Sequence, residues 1–318
     1  RHVTPGALGE LFRFGWRTQV AKLSNLINFQ TDRMVVLGVF GYLTLVGLYR
    51  AGEELASKVR QLPALVVSAM VPAASDLDAR DEQALLGELY LRSTKYIAVI
   101  AVPMTIYAVA TSDLLVRVLF AGQDNLTQAA WVARVLLLGY LANLLPGPGM
   151  SIALGKGRAE MAMYAGLIST GLNLTLTVLF VLASRGADLT QTTTLYLIAG
   201  ATAGALFIST AWFFLALRHH VAVPLGRMLR VALFWPCLAA LPGTVVALAT
   251  VWWVAGVESR LENLLAAALA AVLFGASYGF ALRAAPYLDA IDVTFLQETL
   301  RLGRIPGFAR FVRSRHDV

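Results

Sequence analysis

The segment NLINFQTDRMVVLG (25–38) sets two asparagines, a glutamine and an adjacent Asp32–Arg33 pair inside a long apolar run. On a helix turning about 100° per residue, Arg17, Thr18, Lys22, Asn25, Asn28 and Asp32 share an arc of about 140°, with Arg33 just past its edge. The next apolar run repeats the pattern: Arg50, Glu54, Ser57, Lys58, Gln61 and Ser68 form a stripe about 100° wide, with Glu53 and Arg60 at its margin. A charge at membrane depth costs about 2.5–3.5 kcal/mol on insertion scales, so such groups face a bundle interior or water. Guanidinium and ammonium groups suit phosphate oxygens. The amides of Asn25, Asn28 and Gln61 suit hydroxyl-rich ligands. Arg17, Lys22, Arg33, Arg50, Lys58 and Arg60 outnumber Asp32, Glu53 and Glu54, so an anionic ligand is favoured. The carboxylates themselves are candidates for coupling to a proton or cation, or for gating. A purely structural alternative also exists, in which Asp32–Arg50 and Glu54–Lys58 pairs lock two helices together.

The elements that must hold these residues are membrane helices. The chain has 318 residues, 58% hydrophobic and 14% charged, against about a quarter charged in soluble domains. The apolar runs are long enough to cross a hydrocarbon core about 30 Å thick. The pattern predicts an all-α integral membrane fold with about eight transmembrane helices, near 14–41, 45–73, 95–120, 127–154, 160–184, 190–217, 229–255 and 262–284. The first two run antiparallel across the short turn GYLT, which sets Asp32 and Arg33 level with Arg50, and Lys22 level with Arg60 and Gln61. Two polar stripes at matching heights make one wall of a wet cavity.

Of the 26 basic residues, sixteen fall on one set of connecting segments and two on the other. By the positive-inside bias, both ends of the chain are then cytoplasmic. Asp78–Tyr96 reads as a short amphipathic cytoplasmic helix with Leu85, Leu86 and Leu89 on one side. The tail, 286–318, reads as basic and amphipathic, lying on the anionic inner leaflet. Arg117 and Arg134, near outer ends of spans, read as snorkelling residues.

Other chemistry is scarce. The one cysteine, Cys237, sits in an apolar run, and the four histidines lie outside the apolar runs, so no metal site and no cofactor is expected. Net charge is +7, but the basic residues follow membrane topology and not a nucleic-acid face. GATAG (200–204) and GASYG (275–279) are spaced to let helices pack closely. Pro146 and Pro148 interrupt the fourth span and free backbone groups, giving either a hinge or a fixed kink.

The first two spans, LFRFGWRTQVAKLSNLINFQTDRMVVLGVFG and VGLYRAGEELASKVRQLPALVVSAMVPAASDL, together with LLVRVLFAG, ALGKGR and GLNLTLTVLFV, resemble the polysaccharide and lipid-linked oligosaccharide flippases of the MOP superfamily. The carrying features are Phe14–Gly15, Asp32–Arg33, Gly47–Tyr49, Leu62–Pro63 and Pro72–Ser75. The resemblance covers about residues 8–218. It implies that 1–218 is the second six-helix lobe of such a transporter, that 219–285 adds two membrane helices, and that an N-terminal lobe is missing. The start at Arg1 agrees with a piece of something longer. The implied setting is a bacterial or archaeal cytoplasmic (inner) membrane. The implied partners are membrane lipids, an anionic lipid-linked oligosaccharide as substrate, and the missing lobe. The implied mechanism is alternating access, with no catalysis.

Competing readings are a multidrug exporter of the cation-coupled branch, a membrane glycosyltransferase and a non-transporting scaffold. An exporter of organic cations would line its cavity with acids and aromatics, against the basic surplus here. A glycosyltransferase would need a metal at a cluster such as DLD (Asp76–Asp78), and no loop is long enough for a nucleotide-sugar domain.

Overall fold

The computed structural model describes residues 5–287, apart from 41–42, 68–69, 81, 121–125, 222, 255, 258 and 286. The tail expectation, from residue 288 onward, lies outside the described residues.

The described residues are helical throughout, with the order α1 (Pro5–Phe40), α2 (Leu43–Val67), α3 (Met70–Ala79), α4 (Gln83–Ala110), α5 (Ser112–Leu119), α6 (Leu126–Leu144), α7 (Gly147–Gly155), α8 (Ala159–Gly186), α9 (Gln191–Leu217), α10 (Leu225–Leu229), a π-helical turn (Arg230–Phe234), α11 (Trp235–Trp253) and α12 (Arg260–Ala284). Among them, six helical stretches are long and apolar enough to cross a bilayer: α4, α6–α7, α8, α9, α10–α11 and α12. Helices α1 and α2 are of spanning length, 36 and 25 residues, but they are the charge-bearing pair.

The expected amphipathic helix over Asp78–Tyr96 is not a separate element. Helix α3 ends at Ala79, and α4 runs unbroken from Gln83 through Tyr96 to Ala110. The reason is a continuous inner stripe. Leu86, Tyr90, Thr94, Ile97 and Ala101 follow at helical spacing and are all buried, so the surface helix and the span share one packed face. Leu89 packs with the core, whereas Leu85 is exposed.

Close packing is set by glycines other than those in the two GxxxG patterns. A Cβ on Gly139 would lie 2.7 Å from the Ala203 Cα, and one on Gly52 would lie 2.5 Å from the Ala129 carbonyl oxygen. Gly200, Gly204, Gly275 and Gly279 face open space. The GATAG motif does meet another helix, but through Ala203.

The proline break is real and stitched. The helix stops after Leu144 and restarts at Gly147. Pro146 has no N–H for the Ala142 carbonyl, and the Thr210 hydroxyl of α9 donates to that oxygen instead, at 3.0 Å.

Candidate functional site

The polar residues of α1 do not share one environment. Helix α1 packs chiefly on α8 and also touches α9. Ala21, Ser24, Asn28, Asp32 and Val36 form its buried ridge. Lys22 and Asn25 lie off that ridge and are exposed. The single stripe read from the sequence is therefore split between an interior node and an outer face. Arg33's side chain lies outside the described residues.

The interior node is centred on the Asp32 carboxylate, only 4% exposed. One oxygen accepts from the Tyr49 hydroxyl of α2 at 2.7 Å and from the Thr202 hydroxyl of α9 at 2.5 Å. The other accepts from the Asn173 amide of α8 at 3.0 Å. That same amide nitrogen donates to the Asn28 backbone carbonyl at 3.2 Å. The Asn173 side-chain oxygen lies 3.2 Å from both the Thr177 and the Thr202 hydroxyls. These donors to Asp32, the Tyr49 and Thr202 hydroxyls and the Asn173 amide, are all neutral. Asn28 adds an amide whose oxygen and nitrogen are both buried with no hydrogen-bond partner.

The expected Asp32–Arg50 pair does not form, because Asp32 points into the lobe and Arg50 points out of it. The carboxylate's level along α2 is met by Tyr49, one residue before Arg50. As candidate site residues the sequence offers Asp32 and Asn28, whereas Tyr49, Asn173, Thr177 and Thr202 lie in segments noted only for family resemblance or helix packing. A legible signal was present: Asn173 and Thr177 stand four apart in the apolar run GLNLTLTVLFV, on one helical face.

Helix α2 follows its predicted stripe more closely. It packs chiefly on α6 and turns Arg50, Lys58 and Gln61 outward, with Ser57 and Glu54 half-buried beside them. Glu54 and Lys58 pair at 3.0 Å as expected for i, i+4. Gln61 donates to the Ser57 hydroxyl at 3.3 Å. Arg50, Glu54 and Lys58 line a cavity of about 510 Å³ against Leu119 and Phe120 of α5. Lys22 and Arg50 make no ion pair among the described residues.

Three members of the predicted cavity wall sit elsewhere. Arg17 is tied to Glu160 at the start of α8, 2.9 Å away, and fastens helices at one end of the bundle. Glu53 is buried. Arg60 is half-buried, its guanidinium 4.2 Å from the Phe29 ring centre and 5.1 Å from that of Tyr140, a cation–π contact with two rings that meet each other edge to face. Arg60 thus stands level with Phe29, not with Lys22 as the turn-counting expectation had it.

Ion pairs at the two ends complete the picture. Arg134 does not snorkel: it pairs with Asp113, and its Nε donates to the Val109 carbonyl at 3.4 Å, beside the break between α4 and α5. Asp76 pairs with Arg80 at 3.0 Å and Asp78 with Lys156 at 3.2 Å, so the DLD carboxylates are both engaged by cations. The Arg158 guanidinium lies 3.3 Å from the His220 imidazole. Burial, reinforced by Arg158, moves the His220 pKa below its ordinary value. Lys156, Arg158, Arg80 and His220 thereby gather at one end.

Residues 2–125 match a family described as Polysaccharide biosynthesis protein. The chain is 28% identical over 163 residues to the teichuronic acid biosynthesis protein TuaB of Bacillus subtilis (strain 168), covering 49% of this chain and 31% of that protein. The chain thus spans about a third of the length of that curated relative.

Among solved structures, a MOP superfamily transporter from Pyrococcus furiosus, described with a binding pocket of reverse polarity that suggests a different function, matches with TM-score 0.55 and 19% identity over 96% of this chain and 74% of that one. A multidrug resistance MATE family transporter of the same superfamily, in an outward-facing conformation, matches with TM-score 0.52 and 18% identity over 91% and 66%. MATE in a straight conformation matches with TM-score 0.55 and 20% identity over 91% and 67%. At these identities the likeness shows the fold, an all-helical membrane fold of the MOP type, and beside it stands the match of residues 2–125 to the polysaccharide biosynthesis family.

Proposed function

We propose that this chain, with its MOP-type fold and its leading match to polysaccharide biosynthesis proteins, is the second lobe of a transporter that flips an isoprenoid-pyrophosphate-linked oligosaccharide across the cytoplasmic membrane. In this reading α1 and α2 are spans as well, giving eight. The end carrying Lys156, Arg158 and Arg80 is cytoplasmic, and residues 219–285 supply the two additional spans. Fold alone does not select a cargo, since multidrug transporters share it. Side chains carry the choice, and the decisive observation is that Lys22 and Arg50 project outward from adjacent helices without a carboxylate partner. Two such cations flanked by Asn25 and Gln61 match a phosphate-bearing glycan far better than an organic cation. Lys58 extends the same face, and Arg60, against two aromatic rings, lies behind it; Arg33 is a further candidate on the sequence alone.

Asp32 supplies the coupling. The Thr202 hydroxyl has one hydrogen but lies within 3.2 Å of both an Asp32 oxygen and the Asn173 oxygen. One of those contacts therefore sets two acceptors against each other. A proton on Asp32, or a small monovalent cation among the oxygens of Asp32, Asn173, Thr177 and Thr202, relieves this and compensates a carboxylate buried away from water. Loading or emptying the node changes how α1 and α2 sit on α8 and α9. That movement is the rocking of helix bundles expected in alternating access. Glu54, half-buried and paired with Lys58, stands apart from the node; Glu53 is buried and a second candidate for it. Pro146 and Pro148 set a kink whose carbonyl is bonded by Thr210; if it also hinges, that bond must break.

The test is transport by the full-length protein in proteoliposomes, using a fluorescent isoprenoid-pyrophosphate glycan. Lys22→Ala combined with Arg50→Ala is expected to abolish flipping while leaving the protein folded. Wild-type flipping by the double variant overturns the cargo role of this face. Transport of an organic cation in place of the glycan overturns the choice of cargo and favours the multidrug reading.

A further inference from the structure

Buried side-chain atoms without a hydrogen-bond partner are few among the described residues, and they cluster. Four of the six belong to Arg17, Asn28 and Ser169: the Arg17 Nε, both polar atoms of the Asn28 amide and the Ser169 hydroxyl. All three residues lie where α1 packs on α8. The two helices run parallel and in register. Arg17 meets Glu160 at 2.9 Å, the Thr170 hydroxyl donates to the Ser24 carbonyl at 2.7 Å, and the Asn173 amide donates to the Asn28 carbonyl at 3.2 Å. Ser169 follows Gly166 by three residues and precedes Asn173 by four, so it shares their face of α8. An added Cβ on Gly166 would lie 3.1 Å from the Ser24 Cβ. Ser169 therefore stands about level with Ser24, and Asn28 and Asp32 follow one and two turns further along α1.

We infer that the seam between α1 and α8 carries a file of buried water from the Arg17–Glu160 pair to Asp32, and that this file loads the node from the end bearing Lys156 and Arg158. The loading role rests on the coupling function proposed above for Asp32; the water file does not.

Two observations carry the inference. The first is chemical. The Asn28 amide offers a buried donor and a buried acceptor together. A cation would satisfy only its oxygen and an anion only its nitrogen, whereas water satisfies both. Buried water with two to four polar partners is the usual way such groups are compensated. The second is spacing. The levels of Ser24, Asn28 and Asp32 are each four residues apart, about 6 Å along the helix. One water with hydrogen bonds of about 2.8 Å on either side spans nearly that distance, so each step is one water long. Arg17, one further level toward the end of the bundle, brings its own orphaned Nε to the entry. The other side of α8 differs. There the Ser209 hydroxyl of α9 donates to the Ala165 carbonyl at 2.7 Å, so protein atoms alone complete that interface.

Ser24, Ser169 and Ser209 are equally deep, at 4%, 5% and 6% exposure, so they make a matched set for a hydration probe. Each is changed singly to cysteine in full-length protein whose native cysteines, Cys237 included, are serine. Silver ion is the probe, since it is small and water-borne and replaces the thiol proton. Ser24→Cys and Ser169→Cys are expected to react at least about ten-fold faster than Ser209→Cys. Reaction as slow as that of Ser209→Cys overturns the water file.

The loading role is read by Asn28→Leu combined with Ser169→Val, which fills the seam with apolar groups and leaves every donor to Asp32 in place. Gradient-driven flipping is expected to fall about ten-fold with glycan binding unchanged. Fast silver reaction together with wild-type flipping by this variant overturns the loading role. Ser169→Val alone carries the same test where the double variant fails to fold. Silver reactivity needs no cargo, so a wild-type protein that does not flip the glycan overturns the function proposed above while the silver rates still decide the water file.

Discussion

Helices α1–α2 and α11–α12 are both pairs of long helices, and they pack in opposite ways. Helices α11 and α12 pack mainly on each other. Phe274 presses so close to Gly243 that an added Cβ would lie 2.7 Å away. The pair is pinned to the lobe by few polar contacts: the Tyr107 hydroxyl to the Ala267 carbonyl at 2.7 Å, the Tyr278 hydroxyl to the Val99 carbonyl at 3.1 Å, and Arg260 to the Val118 carbonyl at 3.0 Å. Its outer surface, with Leu241, Val245, Trp252, Leu265 and Val272, is apolar, as a lipid-facing surface must be. Helices α1 and α2 instead lean on separate neighbours, α8 and α6, and touch each other less. What they have in common is polar: a buried carboxylate bridged by Tyr49, and an exposed cation on each helix, Lys22 and Arg50. A pair built for lipid closes on itself. On the function proposed above, α1 and α2 lean on separate supports and turn their exposed cations toward a hydrated path.

The strongest way to break this contrast is to remove the bridge. Asp32→Ala leaves the Tyr49 hydroxyl, the Thr202 hydroxyl and the Asn173 amide without their shared acceptor in a buried setting. Each orphaned polar group costs about 1–3 kcal/mol, so a large fall in thermal stability in detergent is expected together with complete loss of transport. Asp32→Asn keeps the shape and should keep most of the stability, yet should still abolish ion- or proton-driven flipping. If Asp32→Asn transports normally, the node is scaffolding and α1–α2 differs from α11–α12 only in decoration.

Next in size is the outer face. Lys22→Ala and Arg50→Ala each remove an exposed cation, and such changes leave stability within about 0.5 kcal/mol. Flipping in proteoliposomes should nonetheless fall at least about ten-fold for each, the equivalent of about 1.4 kcal/mol of lost binding to a phosphate. A matched change in the other pair, such as Val245→Ala on the outer surface of α11, should leave flipping unchanged.

The contrast between the pairs was partly legible in the sequence. The long apolar runs, the charged leading pair and the outward stripe on α2 follow from helical period and hydropathy, and the structure repeats them. The stripe on α1 was misread because a wide arc does not reveal where the neighbouring helices sit. Asn28 and Asp32 fall under α8 and α9, while Lys22 and Asn25 fall beside them. Periodicity on one helix cannot supply that boundary; only tertiary packing can. The same limit explains the glycines. GATAG has the spacing of a contact motif, but the residue that meets α6 is Ala203, opposite Gly139. The surface-helix expectation at Asp78–Tyr96 failed for a different reason: hydropathy drops there, while the buried stripe continues.

The glycines give a mid-sized test. Gly139→Ala forces α6 away from α9 because the new Cβ meets backbone, and overpacking of this kind costs about 1–3 kcal/mol. Gly200→Ala on α9 meets open space and should stabilise by up to about 1 kcal/mol through helix propensity. Equal effects on the detergent melting temperature would mean that the helix interfaces are misassigned.

The smallest expected effect is also the sharpest on mechanism. Glu54→Gln removes an exposed ion pair with Lys58, worth about 0.3–0.5 kcal/mol at an i, i+4 spacing, so the melting temperature should barely move. If the outer face acts through its positive surplus, freeing Lys58 strengthens the local field toward a pyrophosphate, and flipping should hold steady or rise at low ionic strength. The change should fade at high salt, where exposed charges are screened over about a Debye length. A coupling or gating carboxylate would behave in the opposite way: Glu54→Gln would slow flipping at every salt concentration while leaving glycan binding intact. Measuring rate and binding at two ionic strengths therefore separates an electrostatic wall, in which Glu54 only moderates its neighbours, from a second coupling site outside the Asp32 node.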